Sequence, residues 1–127
     1  MARNELKACL HRNRPKCDIC GYLLGLSVDM HESIVPRRVV QGWAKRYRDL
    51  IFVEENCHLL HHGACHMEAH ADALLMVAIQ ITRYGKARIQ EWIDSLPFKV
   101  FYAWDRGLTE EDAFLRVEAV APWILEE

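Results

Sequence analysis

The sequence predicts an α+β domain, and three observations carry that prediction. Residues 26–34 alternate in the manner of a strand, and a second apolar piece, His58-Leu-Leu60, lies further along. From about Cys65 onward the apolar residues recur at helical spacing in successive stretches. Two pairs, Cys17-x-x-Cys20 and His62-x-x-Cys65, bracket the strand stretch, where one metal ion could tie the chain together. The 127 residues are the size of one ordinary domain, and 51% hydrophobic with 27% charged residues is the composition of a folded chain.

The elements follow in order. Arg3 to Arg12 reads as a short helix with Leu6 and Leu10 on one face. Pro15 ends it, and the Cys17–Cys20 turn follows, closed by Gly21. In the strand over 26–34, Leu26, Val28 and Met30 share one face and Asp29 and His31 the other. Glu32 joins the Met30 face unless the strand bends. Residues 35–50, with Pro36, Gly42 and five basic residues, read as a loop with one helical turn. Short apolar pieces, Leu50–Val53 and His58–Leu60, surround Glu54-Glu55-Asn56. A helix is predicted from about Cys65 to Tyr84, with Leu74, Val77, Ala78 and Ile81 on its core face and Gly85 as its stop. A second, Lys86 to Leu96, carries Ile89, Trp92, Ile93 and Leu96, and Pro97 ends it. Phe98 to Trp104 reads as extended or irregular. Thr109-Glu-Glu-Asp112 resembles a capping box for a last helix presenting Phe114 and Val117 to the core.

The net charge of −2 conceals an asymmetry. Residues 1–48 hold ten Lys or Arg against four Asp or Glu, and residues 49–127 hold six against fourteen. A basic half of this kind suits a polyanionic partner, with ordinary surface charge as the plain alternative. No apolar run approaches the ~20 residues of a membrane span, and Met1 to Leu10 lacks a signal-peptide core. We therefore expect a cytoplasmic protein with no membrane partner.

The five cysteines, Cys9, Cys17, Cys20, Cys57 and Cys65, are read as thiols in such a compartment. Cys17, Cys20, His62 and Cys65 make a Cys3His set of the kind that closes tetrahedrally around structural Zn2+. His61 competes with His62 for the fourth place. Reduced cysteines packed as small hydrophobes are the alternative, and the preferred reading for Cys9 and Cys57. Five of the seven histidines, His58, His61, His62, His66 and His70, fall within thirteen residues, which is unusual for a core because each buried imidazole needs partners.

Four stretches, Cys17-Asp-Ile-Cys20-Gly21, Val28-Asp-Met-His-Glu32, Glu55-Asn-Cys-His-Leu-Leu60 and His62-Gly-Ala-Cys-His66, together resemble the HNH nuclease family, small bacteriophage-type HNH endonucleases above all. The resemblance covers about Lys16 to His70. It implies a ββα-metal core at about 16–70, stapled by zinc, with a helical extension at about 71–127. It also implies a divalent-metal-dependent endonuclease that hydrolyses DNA, nicking it or cutting both strands, with Mg2+ or Mn2+ as the catalytic ion. By the same resemblance Asn56 orients the loop or the base, and His66 helps hold that ion. The first strand departs from the family pattern. Strict register makes His31 the ion's ligand and Glu32 the base. Chemical preference makes His31 the base, since an imidazole titrates near neutral pH, with Asp29 or Glu32 on the ion. His70, one turn after His66 on the same helix face, is a further ligand or a DNA contact.

Arg37, Arg38, Lys45, Arg46 and Arg48, interleaved with Trp43 and Tyr47 and free of acids from Ser33 to Arg48, are the expected DNA-binding residues. The alternative is a solvated loop over a buried Trp43. If the chain is phage-encoded, the host cytoplasm is its place. Double-strand cutting needs two sites, hence a homodimer or a phage protein partner. Two competing readings are a non-catalytic zinc-stabilised nucleic-acid-binding module, in which His31 and His66 are structural, and a zinc enzyme of another class with an open metal position.

Overall fold

The structure is a computed structural model that describes residues 2–99, 104 and 107–127. It is mixed α+β. Helix α1 (Arg3–Asn13) leads into the Cys17–Cys20 turn, and strand β1 (Val28–Glu32) follows. Next come short 3-10 turns at Arg37–Val39, Asp49–Ile51 and Glu54–Asn56, with the one-turn helix α2 (Lys45–Arg48) among them. Strand β2 (Cys57–His61) pairs antiparallel with β1, placing His31 opposite His58, Glu32 opposite Cys57 and Val28 opposite His61. Helices α3 (Ala64–Ala71), α4 (Ala73–Tyr84), α5 (Lys86–Ser95) and α6 (Glu110–Val120) complete the described chain. Among the described residues no helix is long and apolar enough to cross a membrane.

The predicted first helix is present, and Leu6 and Leu10 are its buried residues. β1 is shorter than the alternation suggested. Leu26 lies outside it and is fully exposed. β2 is buried on both faces from Cys57 to Leu60, because α1 and α3 both pack against it. Asn56 fixes the hairpin's far end. Its side-chain oxygen accepts from the Ile34 and Val35 amides at 2.9 and 2.8 Å, and its amide donates to the Val35 and Ile51 carbonyls. Four bonds on one fully buried side chain satisfy backbone groups that would otherwise be stranded away from water.

The helix predicted over Cys65–Tyr84 is two helices. The chain breaks at Asp72 (φ −122°, ψ 67°), whose carboxylate caps α4 by accepting from the Leu75 amide and also pairs with Arg116 of α6. α4 is buried from Leu75 through Ile81, all round rather than along one stripe, which makes it the central helix of the core. Its Gln80 donates to the Glu54 and Cys57 carbonyls and so anchors β2. Gly85, with φ +81°, ends α4 as expected. Thr109 caps α6 by accepting from the Asp112 amide, but α6 buries Ala113 and Val117. Phe114, expected in the core, is exposed, because the buried pair is spaced i, i+4 and Phe114 lies beside that stripe. Residues 100–103 of the predicted irregular stretch lie outside the described residues.

Candidate metal centres and cleft

Among the described residues two groups of ligand atoms converge, and both draw on α3. The first is Cys17, Cys20, His61 and Cys65, whose ligating atoms all lie within 4.8 Å of one another. Cys17 is buried and the others are half-buried. His61 Nδ1 lies 3.3 Å from Cys20 Sγ and 3.9 Å from Cys65 Sγ. Its Nε2–H donates to the Leu23 carbonyl at 3.0 Å, which leaves Nδ1 as the lone-pair nitrogen facing the sulfurs. Three sulfurs and one imidazole are the donor set that suits tetrahedral Zn2+. Burial, with the neighbouring thiols, pushes the Cys65 thiol up to about 12. A cation at the centre would reverse that preference by stabilising the thiolate.

Of the two histidines competing for the fourth place, His61 is the one positioned with the three sulfurs, and His62 is not part of the cluster. The second pair does not repeat the Cys-x-x-Cys geometry of a single turn. It spans a strand end and a helix start, joined by Gly63 at φ +88°. That turn folds His61 back over Cys65 and leaves His62 exposed, its Nδ1 2.9 Å from Asp29 Oδ2.

The second group is His31, His66 and His70, again with ligating atoms within 4.8 Å. Their rings pack together, with centroids 5.3 Å apart for His31–His66, 4.8 Å for His31–His70 and 4.9 Å for His66–His70. β1 supplies the first and α3 the other two, one turn apart. Burial and the three neighbouring histidines pull His31 down to about 3, so it is a neutral imidazole with a free lone pair at neutral pH. His66 Nδ1 donates to Asp29 Oδ2 at 2.8 Å, leaving Nε2 for an ion. Asp29, expected on the ion, stands behind His66 and His62 instead. Burial raises its carboxyl, but the hydrogen bonds from His66 and His62 outweigh that and hold it below the usual range.

The trio opens into a cleft of about 890 Å3, also lined by Asp29, Glu32, Ser33, Arg3, Lys7, Arg37 and Arg38. Glu32 is buried and receives the Arg3 Nε–H at 3.3 Å. Burial raises its carboxyl, against the pull of Arg3 and Arg37. Asn56 is not at the cleft wall; it holds the backbone that follows Glu32. Of the five expected DNA-binding residues only Arg37 and Arg38 line the cleft. Lys45 pairs with Asp49 at 2.6 Å, Arg46 stacks over Tyr47, and Trp43 is part-exposed against Phe98.

Sequence reasoning missed a third feature. His58 is completely buried, 2.8 Å from Asp18 Oδ2 and 2.7 Å from Ser33 Oγ. Asp18 in turn takes both Arg83 Nη groups at 2.8 Å, and Arg83 reaches Glu127. Burial alone would raise the Asp18 carboxyl, but Arg83 and His58 hold it far below the carboxylate range. This chain of charges joins the Cys17–Cys20 turn, α4 and the end of β1. The signal in the sequence was a histidine in an apolar run, which by itself names no partner.

Comparison with protein-family models, with curated proteins and with solved structures finds no match.

Proposed function

We propose that the chain is a metal-dependent DNA endonuclease of HNH type, stapled by zinc at Cys17, Cys20, His61 and Cys65. The observation that carries the reading is the convergence of His31, His66 and His70 in a cleft that Arg3, Arg37 and Arg38 also line. A phosphodiester is an anion with a poor leaving group. Its hydrolysis needs charge neutralised at the scissile phosphate and a base for the attacking water. When bound by the three imidazoles, a divalent ion would supply Lewis-acid stabilisation of the developing charge. An all-nitrogen donor set favours Zn2+, Ni2+ or Co2+ over Mg2+, which prefers oxygen.

With the His31 nitrogen in the trio, Glu32 is the carboxylate left at the cleft to take the proton of the attacking water. Burial moves its pKa toward the working pH, which is the direction a general base needs. Asp29 fixes the His66 ring, and Asn56 fixes the strand exit that carries Glu32. Supercoiled plasmid incubated with zinc-loaded protein and Mg2+, Mn2+, Co2+, Ni2+ or Zn2+ in turn tests the reading. Nicking that depends on an added ion and is lost in His66→Ala supports it. DNA binding without nicking under every ion leaves the non-catalytic nucleic-acid-binding module instead.

A further inference from the structure

Helix α1 stands apart from the four sequence stretches that carry the nuclease resemblance, yet it contributes two cations to the cleft. Arg3 and Lys7 are i and i+4 on α1 and both line it, while Leu6 and Leu10 of the same helix are buried. Arg3 is the first residue of the helix, where the macrodipole disfavours a cation. What holds it there is the cleft itself. Its Nε–H donates to Glu32 Oε1 at 3.3 Å and its Nη2 to the Met30 carbonyl at 3.2 Å. A guanidinium has five N–H donors, and these two bonds fix its plane while leaving others without a protein acceptor among the described residues. Lys7 makes no hydrogen bond among the described residues. A guanidinium already oriented loses little further freedom when an oxyanion docks on it, which is the arrangement that recognises phosphate well.

We infer that Arg3 and Lys7 form a phosphate-binding pair that, with Arg37 and Arg38, holds the DNA backbone across the imidazole trio. Helix α1 is then part of the substrate site as well as a packing helix. Glu32 and the Met30 carbonyl orient Arg3 before substrate arrives. The identity of the ligand as DNA rests on the nuclease reading; the cation pair itself rests on the cleft geometry.

The test is fluorescence anisotropy with a labelled DNA duplex, zinc-loaded protein and no added divalent ion, over a range of salt. Each phosphate neutralised contributes about 0.9 to the slope of log affinity against log salt. Arg3→Gln with Lys7→Gln is expected to shrink the slope by roughly 1.8 and to weaken binding about tenfold at moderate salt. Arg3→Lys keeps the charge and loses the fork, so its slope should hold while affinity falls several-fold. Should Arg3→Gln disturb Glu32 and the fold, Lys7→Gln alone carries the test, with an expected loss of about 0.9. A double variant with wild-type slope, affinity, melting temperature and zinc content overturns the inference, and the nuclease reading survives if the wild type still nicks plasmid. A wild-type protein that neither binds nor nicks DNA overturns both.

Discussion

Two clusters of candidate metal ligands share helix α3, and they differ in donor atoms, in exposure and in what backs their imidazoles. At the first, His61 and Cys65 reach back to Cys17 and Cys20, the donors are mainly sulfur, and none of the four residues is fully exposed. At the second, His66 and His70 reach toward His31, the donors are all nitrogen, and the group opens into a cleft. The imidazole at the sulfur site is backed by a backbone carbonyl, and His66 at the nitrogen site by a carboxylate. A closed sulfur site gives its metal's binding energy to folding. An open nitrogen site leaves coordination positions for water and substrate. On the proposed reading, residues 61 and 65 would serve stability and residues 66 and 70 chemistry. Helix positions i and i+1 point about 100° apart, so the adjacent Cys65 and His66 fall into different clusters.

The largest way to break this division is at the sulfur site. Cys17→Ser or Cys65→Ser should release zinc and lower stability together, by about 4 kcal/mol or more, the scale of losing a structural metal. Metal analysis beside a denaturant melt measures both. His61→Ala should do the same, while His62→Ala should keep full zinc content, since His62 is exposed and faces Asp29. A His62→Ala protein without zinc would return the fourth place to His62.

At the nitrogen site the effect should fall on rate and not on fold. His66→Ala and Glu32→Gln are each expected to reduce plasmid nicking by about 10²–10⁴-fold, the range of a positioned base or its equivalent. Zinc content and melting temperature should stay near wild type for His66→Ala. Nicking by Glu32→Gln at more than a tenth of the wild-type rate would remove Glu32 as the base and return the role to His31.

How much of this was legible in the sequence differs between the two halves of the argument. Local signals were read well: Leu6 and Leu10 on one helix face, the turn at Cys17–Cys20, Gly85 as a stop and Thr109 as a cap all depend on neighbours within a turn or two. What depended on register was not. His61 and His62 are adjacent, and only the strand-to-helix turn decides which faces the sulfurs. At the break, Asp72 both caps α4 locally and pairs with Arg116, forty-four residues away. The Cys65–Tyr84 periodicity runs through the break without marking it. Arg3 and Lys7 carry no local signal on a short helix, because nothing in the sequence says that Arg3 reaches Glu32 and the Met30 carbonyl of β1. Asn56 was noticed, but its four-bond hold on the loop was not derivable, because its partners come from two other segments.

The pH dependence sharpens the comparison further. His31 has a folded value of about 3 and an unfolded value near 6.5. Between these the unfolded chain binds the extra proton, so stability is full above about 6.5 and is lost as pH falls through that window. His58 is lowered by burial too, despite its bond to Asp18, and acts in the same direction. Protein with no ion added to the cleft should therefore lose about 2 kcal/mol through His31 between pH 7 and pH 5. Acid also weakens the sulfur site, but that loss is common to wild type and His31→Gln. The difference between their denaturant melts isolates His31, and it should shift in favour of His31→Gln at pH 5. A difference independent of pH would mean that His31 is not held neutral by its surroundings.

The smallest expected effect tests the backing of the imidazoles. Asp29 Oδ2 accepts from both His66 and His62, and the bond to His66 Nδ1 fixes the tautomer that presents Nε2 to the cleft. Asp29→Asn keeps an oxygen acceptor at nearly the same place and removes the negative charge. The imidazole then stays oriented but becomes a weaker donor to a cation. Changes of this kind cost about 10–100-fold in metal affinity. An oriented ring should place Asp29→Asn near tenfold, and Asp29→Ala, which also frees the ring, further along that range. Titrating Co2+ or Ni2+ into zinc-loaded protein by calorimetry reads this directly, with zinc content at the sulfur site as the internal control. If Asp29→Asn matches wild type while Asp29→Ala falls by tenfold or more, orientation rather than charge is what the carboxylate supplies. If both lose zinc as well, the two centres are coupled through the β2–α3 turn, and the division between stability at 61 and 65 and chemistry at 66 and 70 fails.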